Sequence, residues 1–162
     1  MKKILTIGII QQDFKVLLGM KQRGFGAGLW NGPGGKFNEE KDKNPEESFR
    51  REALEESGLV VGQIEKVGLI EFEFADEPGK ILETHVFLVL DYVGQPQDSE
   101  EMAWQWFDNE KKEIPYDAMW SADKEWIPLL LAGKKIRGQV LYDSKETRRI
   151  ISKKFWEVFN FD

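Results

Sequence analysis

The stretch "GGKFNEEKDKNPEESFRREALEESGL", residues 34–59, decides the fold. Its second half carries a full set of helix signals. Asn44 is a good N-cap, Pro45 suits the first helical position, and Glu47 stands three residues after the cap, as in a capping box. Gly58 stands where a left-handed residue closes a helix. Between them Phe49 and Ala53, four apart, mark the buried stripe. Glu52, Glu55 and Glu56 are spaced i, i+3 and i+4 and fill an adjacent arc of about 100°. Like charges so placed cost an isolated helix roughly 0.2–0.5 kcal/mol per pair. A solvated face is the common reason for such a cluster. Here a glycine-rich loop lies just upstream and the arc borders the apolar stripe, so a hard dication bringing phosphates with it is the better physical answer. Mg²⁺ takes about six oxygen ligands, typically carboxylates, waters and phosphate oxygens.

Outward from this helix, the bulk numbers are those of an ordinary globular chain. The 162 residues suit one domain, 1–162, and 41% hydrophobic with 32% charged is too apolar for disorder. A net charge of −6 argues against a general nucleic-acid binder, though not against one nucleotide whose phosphates a cation bridges. With no cysteine, disulfides and thiolate metal sites are excluded. "MKKILTIGII" imitates a signal peptide, but its apolar run breaks at Gln11 and no cleavage site follows, so a first strand is the better reading. Nothing approaches the roughly 20 apolar residues of a membrane span. A cytoplasmic monomer with a small-molecule partner, no nucleic acid and no membrane is expected.

Residues 3–10 and 14–20 read as paired strands parted by "QQD". The segment 24–35, "GFGAGLWNGPGG", is a loop, and "NEEKDKN" is most simply a solvated one. Strands are expected at 66–74, 81–91 and 103–107, with a turn at "DEPGK". "SADKEWIPLLLAG" reads as a helix started by Ser121 and ended by Gly133, which Pro128 must kink or split. The segment 138–159 alternates too weakly to type. Mixed strands and helices without a βαβ repeat predict an α/β fold, a mixed sheet flanked by helices.

The quoted stretch resembles a Nudix box, G-x5-E-x7-R-E-U-x-E-E-x-G-U, matching through Arg51, Glu52, Glu55, Glu56, Gly58 and Leu59. Two departures stand out. Gly35 lies sixteen residues before Arg51 rather than fourteen, and the first glutamate of the pattern is Lys43. Glu39, Glu40 and Asp42 are the candidates to replace it. "VLLGMKQRGFGAGLWNGPGGK", "FEF", "SEEMAWQWF" and "AMWSADKEWIPLLL" extend the likeness toward the branch of the family that acts on oxidised purine nucleoside triphosphates.

The resemblance implies the Nudix α/β/α sandwich and Mg²⁺-dependent hydrolysis, with Mn²⁺ a possible substitute, to a nucleoside monophosphate and pyrophosphate. Glu52, Glu55, Glu56, the Gly34 carbonyl and Glu101 become metal ligands. Glu56 or Glu101 would accept the proton of the attacking water, and Arg51 would orient the glutamates. Lys21, with Gly35 and Lys36, would meet the triphosphate. Phe25, Asn31, Phe72, Phe74, Trp120 and Thr6 would line the base pocket, whose stacking is worth about 1–3 kcal/mol per base. The alternation of Phe72 and Phe74 also fits a plain core stripe.

Where the family branch has two adjacent aspartates after "MWx", this chain has Ala122 and Asp123. Asp123 is expected to read the base edge, and tolerance for several oxidised purines to be narrowed or shifted. His85, the sole histidine, is read as structural. Two other readings stand: the same chemistry on ADP-ribose, a dinucleoside polyphosphate or normal dNTPs, and a non-catalytic nucleotide-binding module.

Overall fold

The computed structural model describes residues 1–162. Strands β1 (Lys2–Gln12) and β2 (Lys15–Lys21) form a hairpin, and β3 is the short pair Trp30–Asn31. Helix α1 (Pro45–Ser57) follows, then β4 (Val60–Val61), β5 (Ile64–Phe74), β6 (Ile81–Val89), β7 (Tyr92–Val93) and β8 (Met102–Asp108). A 3₁₀ turn at Tyr116–Ala118 leads into α2 (Asp123–Leu131), and β9 (Ile136–Tyr142) and β10 (Ile150–Glu157) complete the chain. The main sheet runs β10-β9-β5-β6-β1-β2-β3, with β8 also on β2. It is mixed: β1–β6 and β5–β9 are parallel, the other pairs antiparallel. No helix is long and apolar enough to cross a membrane.

Both faces of the sheet are covered, and neighbouring residues show it. Ile9, Leu18 and Val86 pack with Trp126, Ile127 and Leu130 of α2 in one core. Ile10, Leu17 and Phe87 pack with Phe49 and Ala53 of α1 in the other. Successive strand residues point to opposite faces, so α1 and α2 sandwich the sheet, as the sequence predicts. Gly8 permits the close fit of α1, because a Cβ there would stand 2.1 Å from the Phe49 ring.

The caps of α1 are as expected. Asn44 Oδ1 accepts from the Glu47 amide at 2.8 Å, and Gly58, at φ 78°, donates to the Leu54 carbonyl at 2.9 Å. The second arm of the capping box differs slightly, since Glu47 accepts from the Lys43 amide instead of that of Asn44.

Several expectations need correcting. The first hairpin turns at Asp13–Phe14, both at positive φ (48° and 69°), so β2 starts at Lys15. The strand expected over 81–91 stops at Val89. Ser121 does not cap α2; its hydroxyl donates to the Arg148 carbonyl, and Ala122 stands at the N-cap without a side-chain bond. Pro128 does not split the helix. It removes one amide donor, yet its own carbonyl still accepts from Ala132 at 3.0 Å. Of residues 138–159, untyped from sequence, 138–157 belong to the β9–β10 hairpin. The run "NEEKDKN" is not wholly solvated, because Asp42 is buried.

What positions the site is a parting of strands. β1 and β2 pair only at Gln11–Val16 and Gln12–Lys15. Beyond that root they separate, and the glycine loop enters the gap. There the Thr6 amide donates to the Gly35 carbonyl at 2.8 Å and Gly8 to that of Pro33 at 2.7 Å.

Candidate active site

The wedge between the parted strands opens into a cleft of about 310 Å³. Thr6, Lys21, Phe25, Asn31, Gly35, Lys36, Phe72, Phe74, Trp120 and Asp123, every residue expected to bind substrate, line it, together with Gly34 and Glu56. Residues far apart in the chain thus meet in one place. Arg51, Glu52, Glu55 and Glu101 do not line it.

One end is aromatic. Phe25 and Trp120 have ring centroids 5.4 Å apart, Phe74 and Trp120 5.9 Å, and Phe74 and Tyr142 5.6 Å. Phe72 lies nearly parallel to Tyr142, at 6.1 Å and 8°. Beneath them Asp123 is buried, accepting from the Trp120 amide and from Trp126 Nε1, each at 3.1 Å. Burial pushes its carboxyl up to about 7, against the pull of those two bonds. It is therefore poised to carry a proton near neutrality.

The other end is polar. The Gly34 amide donates to Glu56 Oε1 at 2.9 Å. Burial lifts the Glu56 carboxyl to about 7, while the Gly34 bond and the charge of Lys21 oppose the lift. Gly34 is at φ 152°, and a Cβ there would fall 2.0 Å from the Thr6 carbonyl oxygen. Gly34→Ala is therefore expected to lower stability by at least about 2 kcal/mol, readable by urea unfolding, because the loop must leave the β1 edge. A value within 0.5 kcal/mol of wild type (an ordinary surface change) would mean that the loop can shift freely.

Arg51 organises the flank of α1. Its Nε and Nη2 grip Asp42 at 2.8 and 2.9 Å in a two-pronged pair, and its Nη1 lies 3.1 Å from both Glu52 and Glu55. Nη2 also donates to the Lys36 carbonyl at 3.3 Å. The guanidinium holds Asp42 down at about 2, and the same pairing raises Arg51 further above its ordinary value. Of the three candidates to replace the missing first glutamate, Asp42 is the one that meets Arg51. Glu39 and Glu40 are exposed. Burial raises the Glu52 carboxyl, with Arg51 pulling it back.

The expected metal ligands are not all brought together. Glu101 is tied to Arg23 at 2.9 Å on the rim, both side chains about two-thirds exposed. Glu55 faces outward toward Arg51. No three acidic side chains converge into a ready-made cation cage. His85 does not line the cleft: its Nε2 lies 3.2 Å from Glu83 Oε2, and burial depresses its proton affinity.

Among the cleft residues that escaped the sequence reading are Tyr142, Lys145 and Thr84. Tyr142 and Lys145 come from the untyped segment, and Lys145 Nζ sits 5.0 Å from the Phe25 ring centroid and 2.9 Å from Glu77. Thr84 on β6 has a buried hydroxyl with no protein partner. Its place in an apolar strand gave no sign of this.

Comparisons with known proteins agree with this geometry. The NUDIX domain profile matches residues 2–130. The oxidized purine nucleoside triphosphate hydrolase of Danio rerio is 44% identical over 156 residues, 96% of each chain. Its namesake in Mus musculus is 43% identical over 159 residues, 98% of this chain and 97% of that one. The crystal structure of the MutT protein from Bacillus halodurans superimposes with a TM-score of 0.77, covering 94% of this chain and 97% of that one; at 21% identity it shows the fold alone. A profile match over most of the chain, relatives alike end to end, and a sandwich with its glutamate helix beside a glycine loop place this protein in the Nudix hydrolase family.

Proposed function

We propose that the protein hydrolyses oxidised purine nucleoside triphosphates to nucleoside monophosphate and pyrophosphate, with Mg²⁺ as cofactor. The observation that carries this reading is the continuity of the cleft: aromatic walls suited to a flat base run into the Gly34–Glu56 end, where Lys21 and Lys36 can meet phosphate oxygens. The names of the Danio rerio and Mus musculus relatives point to the same substrate class.

The donor set fits a hard dication. Every candidate is an oxygen, and Mg²⁺ prefers oxygen. Glu52, Glu56 and the Gly34 carbonyl are the residues that would hold it, with Glu55 and Glu101 drawn in from their arginines. The ion supplies charge neutralisation of the phosphates and an acidified water. The chain itself does the rest. Phe25, Phe74 and Trp120 stack the base, Asn31 and Asp123 read its edge, and Glu56, kept from bulk water, accepts a proton.

Pyrophosphate release from 8-oxo-dGTP and dGTP, with and without Mg²⁺, tests this. Release from 8-oxo-dGTP is expected to need the ion and to exceed that from dGTP in kcat/KM by at least about tenfold, one hydrogen bond's worth of discrimination. Equal release from both, or a preference for ADP-ribose or a dinucleoside polyphosphate across the same panel, would overturn the substrate assignment.

A further inference from the structure

Resting on that reading of the cleft, we infer that the Tyr142 hydroxyl reads the base edge in place of the carboxylate absent at Ala122, donating its proton to an oxo group of the purine. Ala122 is fully buried and offers only a methyl group. Next to it, both oxygens of Asp123 already accept from Trp120 and Trp126. A second polar group nevertheless stands at this spot. Tyr142 Oη accepts the Ala122 amide at 3.3 Å, and no protein acceptor takes its own proton.

The phenol is held in place from three sides. Tyr142 is in register with Phe74 across the parallel β5–β9 pair. Its ring stacks on Phe72 and Phe74, and Trp120 closes at 5.5 Å. A carboxyl can present either a donor or an acceptor by exchanging a proton. A phenol keeps its proton through the neutral range, and burial pushes this one further up. With a lone pair engaged by the Ala122 amide, the hydroxyl turns a donor to the cleft. It complements an oxo group and mismatches an amino group.

The test compares kcat/KM for 8-oxo-dGTP, which carries an oxo group at C6, with 2-hydroxy-dATP, which carries an amino group there. The wild type is expected to favour 8-oxo-dGTP. Tyr142→Phe, which keeps the ring and its stacking, should lose about tenfold on 8-oxo-dGTP and less than threefold on 2-hydroxy-dATP. A residue that merely supports the wall would lower both equally, and an unchanged ratio overturns the inference. O6-methyl-dGTP gives a second readout on the wild type, independent of any variant's folding. Its blocked oxygen should drop it about tenfold below 8-oxo-dGTP, and equal efficiency on all three nucleotides defeats the inference too. Absence of turnover on all three defeats the proposed function, and the inference with it. Turnover without discrimination defeats only the role of Tyr142.

Discussion

Glu56→Gln is expected to lower kcat by about 10²–10⁴-fold, the usual contribution of a positioned acid–base group, with circular dichroism and melting temperature close to wild type. The amide has the shape of the carboxylate, and its oxygen can still accept the Gly34 N–H that now sits 2.9 Å away. What it cannot do is carry negative charge or take up a proton. A single-turnover assay beside an equilibrium measurement of nucleotide binding separates the chemistry from the affinity. Glu101→Gln is expected to cost less than tenfold in the same assay, because that side chain lies on the rim with Arg23. If Glu101→Gln were the crippling change and Glu56→Gln the mild one, the roles would be exchanged. If the wild type itself binds nucleotide and never turns it over, the non-catalytic module is the correct reading.

Asp42→Ala, outside the cleft, should cost about 3 kcal/mol of stability. The Asp42 carboxylate is almost wholly enclosed and its partner is only about a fifth exposed, so water cannot replace the lost bonds. For a chain of this length the melting temperature should fall by roughly 6–12 °C. Glu39→Ala and Glu40→Ala, on the exposed part of the same loop, should stay within about 0.5 kcal/mol of wild type. Acid should erase the difference. Asp42 titrates near 2 in the fold against 3.8 as a free side chain. Its contribution is therefore complete above pH 4 and is lost as the pH falls through 2. Urea unfolding of both proteins at pH 7, 4 and 2 should show the gap holding and then closing. A gap that widens in acid would place the stabilisation elsewhere.

Much of this was legible in the sequence, and the reasons are local. Asn44, Pro45, Glu47 and Gly58 act within one or two turns of their own helix, so their roles can be read from spacing. The cleft residues were legible through likeness to a family, since no local rule brings Thr6, Phe72 and Trp120 together. Asp42 was one of three candidates because the loop is two residues longer than the family pattern, and only folding decides which acid reaches Arg51. Ser121 failed as a cap because a carbonyl from a distant loop competes for its hydroxyl. β10 was illegible for a different reason. It is an edge strand, exposed along most of its length, so burial imposes no alternation on it. Tyr142, at the end of its partner β9, went unseen with it.

The placement of that last hairpin has an evolutionary corollary. The family profile ends at residue 130, before β9 begins, whereas the glutamate helix lies well inside it. Of the residues lining the cleft, Tyr142 and Lys145 are thus the two that lie beyond the shared profile, and they join the rest of the pocket through β5, Ala122, Trp120 and Glu77. Swapping residues 134–157 between two relatives would exchange that one wall of the pocket and leave the glutamate helix, with the walls built from Phe25, Phe74 and Trp120, as they are.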